Sequence, residues 1–416
     1  MIGTPDAYHL PSEPGTGYLK VDTTVYEKFK AALVSGPYRP PAAPSGRAVV
    51  PVVPFLSVNG LGGWLSGRQP ADAAPPARAD AVPAGLTTAV TGPAGVGATA
   101  PSTLDVVVAR LVAAGAARAR PVWLDPLPPV LPLDRVQDVR ERAAPGRLSA
   151  TLGLVDDPAR QRQSPLEWDF AGAGGNLLVV GAPQSGKSTV LRTLVSSLAL
   201  RYAPGEVAVY CVDCGGGALA PLAALPHVAG VAGRTDPERV SRTVATVAAA
   251  LDARERVFRE LGLDSPAALR EARAAGRAPA DLPGAVFLVI DGWGVFREDF
   301  EALEERVADI AARGLTFGVH VVLTLTHGMQ VRLRMQPAFG GRVELRLNDP
   351  FDSAVDRKLQ ERLSKDTPGR GLVEGGLVFQ AAVPRIDGAA TLDDLSAASQ
   401  RLVEAVNQRW PAARVP

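Results

Sequence analysis

From about residue 147 onward the sequence predicts an α/β fold, a mainly parallel sheet with helices on both faces. Three observations carry that reading. Apolar runs at 177–180, 207–212, 286–290, 320–325 and 342–347 have the length of buried strands. Stretches with helical spacing, 236–261 the longest, alternate with them. A glycine-containing turn at 181–186 joins the first run directly to a helical stretch.

Composition bounds what such a chain does. Its 416 residues fit about two to three folded units, and a hydrophobic share of 46% supports a sizeable core. A formal charge of +1 gives no basic surplus of the kind a nucleic-acid binder shows, so nucleic acid is not an expected partner. Two cysteines and no leader-like start indicate neither secretion nor a disulfide framework, so a cytosolic compartment is expected. No run approaches the ~20 apolar residues of a spanning helix, so a membrane link would come through a partner or a part of the protein outside this chain.

Taken in order, residues 36–102 are rich in Pro, Ala and Gly and read as linker, with 49–56 apolar enough to dock on a neighbour. Leu104, Val107, Val108 and Leu111 then repeat at helical spacing behind Ser102 and Thr103, predicting a short amphipathic helix that opens a connecting segment, 103–146. Residues 1–35 echo the far end of the chain. Pro14-Gly15-Thr16-Gly17-Tyr18-Leu19 followed by Phe29-Lys30-Ala31-Ala32 matches Pro368-Gly369-Arg370-Gly371-Leu372-Val373 followed by Phe379-Gln380-Ala381-Ala382. The first copy reads either as the closing strands of a module whose body lies elsewhere, or as a second, unrelated glycine-turn hairpin.

The turn itself carries chemistry. Gly181-Ala182-Pro183-Gln184-Ser185-Gly186-Lys187-Ser188 fits G-x-x-x-x-G-K-[ST], with an apolar strand entering and a helix, about 187–200, leaving. Glycines let successive backbone N–H groups turn toward a phosphate, and the positive end of the helix faces the same anion. Lys187 adds a point charge, and the Ser188 hydroxyl suits Mg²⁺. ATP with Mg²⁺ is therefore the expected ligand.

Asp291 ends a second apolar strand about a hundred residues downstream. In phosphate-loop NTPases an aspartate there holds the metal beside the phosphates, and a charge ending a buried strand needs such a partner. The alternative is an aspartate capping a turn. Many ATPases of this class place a glutamate next, as general base. This chain has Gly292, then Trp293 and Gly294. Loss of a positioned base lowers a rate by ~10²- to 10⁴-fold while leaving phosphate and metal contacts intact, so binding with weak or absent hydrolysis is expected. Glu298, Asp299 or Glu301 could substitute from nearby.

Past the strand 320–325, Thr326 and His327 are candidates for sensing the terminal phosphate, or simply polar residues where strand meets loop. Arginines 313, 332, 334, 342 and 346 could reach a neighbouring subunit's phosphates, and none stands out. Cys211 and Cys214 form a C-x-x-C without a second pair, and histidines 9, 227, 320 and 327 are scattered, so neither zinc nor redox chemistry is expected. The charges of 236–261, Arg254 among them, read as a solvated helix face. Residues 265–284 read as a mobile insertion.

Taken together these residues resemble the FtsK/SpoIIIE-type ATPases, and more narrowly the multi-module EccC-type ATPases of type VII (ESX) secretion. The resemblance covers 1–34 and about 100–410. It rests on Gly174-Gly175-Asn176 leading into the phosphate loop through Thr189, Tyr210-Cys211-Val212-Asp213 before Gly215, Leu225-Pro226-His227-Val228 and Asp236-Pro237-Glu238-Arg239. It continues in Asp291-Gly292-Trp293-Gly294, Gly318-Val319-His320, Asp349-Pro350-Phe351-Asp352-Ser353 and Pro384-Arg385-Ile386-Asp387-Gly388.

It implies a RecA-like P-loop NTPase domain over 147–416 that uses ATP and Mg²⁺ at 181–189, Asp291 and Thr326. It also implies the second, hydrolytically degenerate module of a tandem array, with 1–34 as the tail of the first. Implied partners are adjacent ATPase modules, a secretion membrane complex that places the protein at the cytoplasmic face, and secreted substrates engaged indirectly, in an oligomeric machine. Cys214 stands where the family tends to have an aromatic residue. The membrane anchor, the first module's body and the third module are not in the sequence. A DNA translocase subunit of the same family is the competing reading.

Overall fold

The structure, a computed structural model, describes residues 5–12, 14–21, 26–40, 101–115, 124–144, 146–172, 174–279 and 282–411. Most of the expected linker, including its apolar stretch 49–56, lies outside them. The chain divides into two compact units, Met1–Arg120 and Pro121–Pro416.

In the first unit, β1 (Thr16–Lys20) and β2 (Tyr26–Lys30) form a two-stranded antiparallel hairpin. The helix expected behind Ser102 is present as α1 (Thr103–Ala113). Ser102 and Asp105 close a capping box, the Asp105 N–H donating to the Ser102 hydroxyl at 3.2 Å and the Ser102 N–H to the Asp105 carboxylate at 2.9 Å. The helix start is tied to the segment after the hairpin, with Thr103 N–H donating to Gly36 O at 2.9 Å and Leu104 N–H to Val34 O at 2.8 Å.

The second unit is built on one sheet. Its strands are β3 (Leu131–Pro132), β4 (Ser149–Asp157), β5 (Arg162–Asp169), β6 (Leu177–Val180), β7 (Val207–Asp213), β8 (Val228–Gly233), β9 (Ala285–Asp291), β10 (Val319–Leu325), β11 (Gly341–Leu345), β12 (Arg370–Val373) and β13 (Leu377–Val383). The spatial order is β5-β4-β13-β12-β11-β6-β10-β9-β7-β8, with β3 beside β13. From β11 to β8 every neighbour is parallel, which is the expected sheet. β12, β13, β4 and β5 extend it with antiparallel pairs. Because β3 pairs with β13, the segment from 124 belongs to this unit, and the boundary expected at 147 moves forward.

The helices are α2 (Lys187–Arg201), α3 (Pro237–Leu261), α4 (Pro266–Ala274), α5 (Trp293–Asp299), α6 (Glu301–Gly314), the single turn α7 (Arg357–Gln360) and α8 (Leu395–Arg409). α2 and α8 cover one face, α3, α5 and α6 the other. β9 shows why its sequence is continuously apolar: Ala285, Phe287 and Val289 enter the first core while Val286, Leu288 and Ile290 enter the second. Each large side chain among them contributes about 1.5–3 kcal/mol on burial.

Two expectations are corrected. The supposed mobile insertion opens with α4, capped by Ser265, whose hydroxyl accepts the Ala268 N–H at 3.2 Å, and anchored by fully buried Leu269 and Ala272. Arg254 is not on a solvated face. It is fully buried, donating to Pro283 O at 2.6 Å and Gly284 O at 2.8 Å, and burial pushes its guanidinium down to about 9. No helix among the described residues is long and apolar enough to cross a membrane.

Two buried histidines give the fold a pH dependence. His320 Nδ1 lies 2.8 Å from Gly175 O and His227 Nε2 2.7 Å from Tyr202 O, and burial pushes both imidazoles down to about 4. The unfolded chain binds these protons near pH 6.5 and the folded chain does not, so stability is full above pH ~6.5 and falls as pH drops toward 4. Each histidine is expected to steepen that fall by up to about 1.4 kcal/mol per pH unit. Urea unfolding of His320→Gln against the parent at pH 7 and pH 5 reads the difference.

Candidate nucleotide-binding site

The loop 181–186 leaves β6 at the centre of the sheet and is tied to the strands on both sides. Gly181 N–H donates to Leu325 O at 3.0 Å, and Ala182 N–H to Arg346 O at 2.8 Å. Ser185 N–H closes the turn on Ala182 O at 3.2 Å. Glycine is required at both ends: a Cβ on Gly181 would lie 2.4 Å from Ser185 Oγ, and Gly186 sits at φ +107° with Gly369 packed against it. Gly369 N–H also donates to Ser185 O at 2.8 Å, so the β12 turn braces the loop. Pro183 and Gln184 are exposed at the tip, Gln184 with φ +60°.

α2 starts at Lys187. Its ammonium donates to the carbonyls of Gly181 and Ala182, both at 2.8 Å, and burial pushes its pKa down while Asp291 opposes the shift. On the next strand but one, Asp291 is 2% exposed. One carboxylate oxygen accepts the Ser188 hydroxyl at 2.6 Å, the other the Thr324 hydroxyl at 2.6 Å. Gly215 packs so tightly on this carboxylate that a Cβ there would lie 2.7 Å from Asp291 Oδ2. A hydroxyl and a carboxylate held together at a helix N-terminus are the hard oxygen donors Mg²⁺ takes when a triphosphate completes its shell. Thr189, still in the first turn of α2, is half-buried.

Thr324 was not among the sequence candidates. The register of β10 on β9, Leu323 opposite Ile290, puts it beside Asp291, and nothing local in the sequence fixes that register. Thr326 lies one residue beyond β10, at the flank of the loop, and its N–H donates to the Gln330 side chain at 2.8 Å. His327 is half-buried. Asp213, opposite Asp291 on β7, builds the neighbouring turn by accepting from Gly215, Gly217 and Leu219 N–H at 3.0, 3.1 and 2.7 Å.

At the position after Asp291 the backbone is unusual. Gly292 has φ +84°, its N–H donates to the Thr324 hydroxyl at 2.7 Å, and a Cβ would lie 3.2 Å from the Cys214 carbonyl carbon. Trp293 is fully buried, stacked on Phe296 with centroids 5.2 Å apart, and its indole N–H donates to Gln330 O at 3.2 Å. The three acids that could stand in for a glutamate are placed otherwise. Glu298 and Asp299 are exposed at the far end of α5, about 8–9 Å of helix from Trp293, and Asp299 pairs with Arg234. Glu301 is exposed at the start of α6.

Four of the five candidate arginines are held by acids: Arg313 by Asp309, Asp252 and Glu255, Arg332 by Glu304, Arg334 by Glu305, Arg342 by Glu344. Arg346 instead donates to Leu347 O at 3.2 Å. Cys211 and Cys214 are both buried free thiols pushed up to about 12 by burial, far from thiolate reactivity.

A model of the FtsK/SpoIIIE family matches residues 139–386, which span the strands from β4 to β13, the loop 181–186 and Asp291. The chain belongs to the FtsK/SpoIIIE family. Its fold is accordingly the RecA-like P-loop ATPase fold of that family. Among FtsK/SpoIIIE relatives, it is 40% identical over its full length to the ESX secretion system protein EccC of Thermomonospora curvata, covering 31% of that protein. It is 43% identical over 94% of its length to the ESX-4 secretion system protein EccC4 of Mycobacterium tuberculosis, covering 29%. A solved structure of ATPases 2 and 3 of Thermomonospora curvata EccC, in complex with a signal sequence peptide, matches 71% of the chain and 55% of that structure at 44% identity and TM-score 0.67. The chain thus spans about a third of the length of these curated relatives.

Proposed function

We propose that this chain binds Mg·ATP on residues 181–189 and Asp291, with Thr326 flanking the terminal phosphate. It hydrolyses the nucleotide weakly or not at all. In this reading it is one module of a type VII secretion ATPase, and bound nucleotide supports or regulates protein export rather than driving it. Adjacent ATPase modules and a membrane complex are its partners, which places it at the cytoplasmic face of the membrane within an oligomer. Secreted proteins are engaged through neighbouring modules; a relative's ATPases 2 and 3 have been solved in complex with a signal sequence peptide.

One observation carries the reading. An assembled phosphate loop with Asp291 on Ser188 is followed at 292 by a left-handed glycine, where a side-chain carboxylate has no unstrained place. Gly292→Glu is therefore expected to lower stability by about 1–2 kcal/mol through the forced φ, leaving turnover at the parent level. A phosphate-release assay on this variant that rises at least tenfold over the parent would show that the site was only missing its base. A DNA translocase would instead show DNA-stimulated turnover and salt-sensitive DNA binding, which the same assay with and without duplex DNA reads.

A further inference from the structure

Asp213 and Asp291 end neighbouring strands in register, yet their carboxylates are used differently. Asp213 commits both oxygens to the N–H groups of Gly215, Gly217 and Leu219. The Asp291 carboxylate accepts two hydroxyls, Ser188 on Oδ2 and Thr324 on Oδ1, both at 2.6 Å, and no N–H group among the described residues. Asp213 builds a turn, whereas Asp291 is held in place with acceptor capacity left over.

Thr324 is fully buried in β10. Its strand neighbours Leu323 and Leu325 enter the second core and Val322 the first, so apolar packing lies on both faces of the strand. Valine has the same branched shape and brings no hydroxyl to bury, so packing alone does not call for threonine here. A hydroxyl has one proton to give and two lone pairs to fill. Gly292 N–H already donates to Thr324 at 2.7 Å, which sends the hydroxyl proton to Asp291 Oδ1. The chain of bonds from Gly292 through Thr324 to Asp291 thus runs in one direction, on a side chain stiffened by its β-branch. Gly215 closes the carboxylate from another side, where a Cβ would lie 2.7 Å from Oδ2. Oδ1 is occupied, and Oδ2 is left beside Ser188 and the loop.

We infer that Thr324 is a positioning residue for the divalent cation of this site: its hydroxyl locks the Asp291 carboxylate so that Oδ2 is the oxygen offered, next to the Ser188 hydroxyl. Thr324 acts through Asp291 and does not itself touch cation or nucleotide. Without it the carboxylate is free to turn, and part of the cation's attraction is lost to holding it still. The same hydroxyl satisfies the N–H of left-handed Gly292, so one buried group serves both the backbone after Asp291 and the orientation of its side chain. The inference rests on the nucleotide-site reading above, but not on whether the site hydrolyses ATP.

The cation dependence of binding tests it. The full chain is titrated with a fluorescent ATP analogue in Mg²⁺ and in EDTA, as parent, Thr324→Val and Thr324→Ser. Thr324→Val is expected to lose about 10- to 100-fold of the Mg-supported affinity, the range for removing a hydrogen bond behind a metal-binding group. Its affinity in EDTA is expected to stay within about threefold of the parent. Thr324→Ser keeps the hydroxyl and is expected to hold Mg-supported affinity within about threefold of the parent. A packing role alone predicts that valine weakens binding equally in Mg²⁺ and EDTA, or not at all, and either result overturns the inference. Serine behaving like valine overturns it too. If Thr324→Val does not fold, Thr324→Cys takes its place, since a thiol is a weak donor of similar size. A loss confined to Mg²⁺ then supports the inference, and parent-like Mg²⁺ dependence overturns it. A parent that binds no better in Mg²⁺ than in EDTA overturns the nucleotide-site reading and this inference together. A Mg-responsive parent matched by Thr324→Val overturns this inference alone.

Discussion

Lys187→Ala is expected to weaken ATP binding by about 2–4 kcal/mol, roughly 30- to 1,000-fold, as the loss of a charge-assisted contact in a half-buried site does. In the structure the ammonium is held over the candidate phosphate loop by Gly181 O and Ala182 O. The same substitution should leave unfolding within about 1 kcal/mol of the parent, because removing a desolvated charge offsets the two lost hydrogen bonds. Titration with a fluorescent ATP analogue beside urea unfolding separates the two effects. A variant that binds like the parent would place the nucleotide elsewhere.

Trp293→Ala should do the opposite and destabilise the fold by about 3–5 kcal/mol, the range for emptying a fully buried large aromatic. The indole fills the second core beside Phe296 and its N–H satisfies Gln330 O. Gln330 is a hub: its carbonyl also accepts Arg297 at 2.7 Å and its side chain accepts Thr326 N–H. The cavity therefore opens between the strand end at Thr326 and the start of α5, next to Gly292. Urea midpoints measure the loss, and nucleotide affinity should decline only modestly where the variant remains folded. A change under about 1 kcal/mol would mean that the site collapses around the smaller side chain.

The shape of the candidate phosphate loop was legible in the sequence because its signals are local. Four apolar residues, a glycine turn, a lysine and a serine occupy consecutive positions, and Asp291 interrupts an apolar run that both cores need. Partners fixed by strand register were not legible. Thr324 reaches Asp291 only because β10 pairs with β9 at one offset, and the sequence pointed two residues on, to Thr326. The antiparallel pairing of β4 with β13 was not legible for the same reason, since the two strands meet across more than 200 residues. Arg254 shows the limit of reading charge as surface: three backbone carbonyls receive it inside the fold, and no local pattern announces them. In α4 the signals were present, a serine cap and Pro266 at the first position, but the alanine and arginine composition masked Leu269 as the anchor.

The meaning of Gly292 changes once its backbone is known. As sequence it is a missing acid, an absence that a nearby carboxylate could repair. As structure it is a left-handed residue wedged against Cys214 and joined to Thr324, with Trp293 locking the following turn into the core. The chain has used the position for packing.

ATP affinity and steady-state phosphate release measured on one preparation test this most directly. The expected result is saturable Mg-dependent binding that Lys187→Ala removes, with turnover at or below about 10⁻² s⁻¹ against the roughly 1–10³ s⁻¹ typical of enzymes. Turnover within that typical range, abolished by Lys187→Ala, would contradict it.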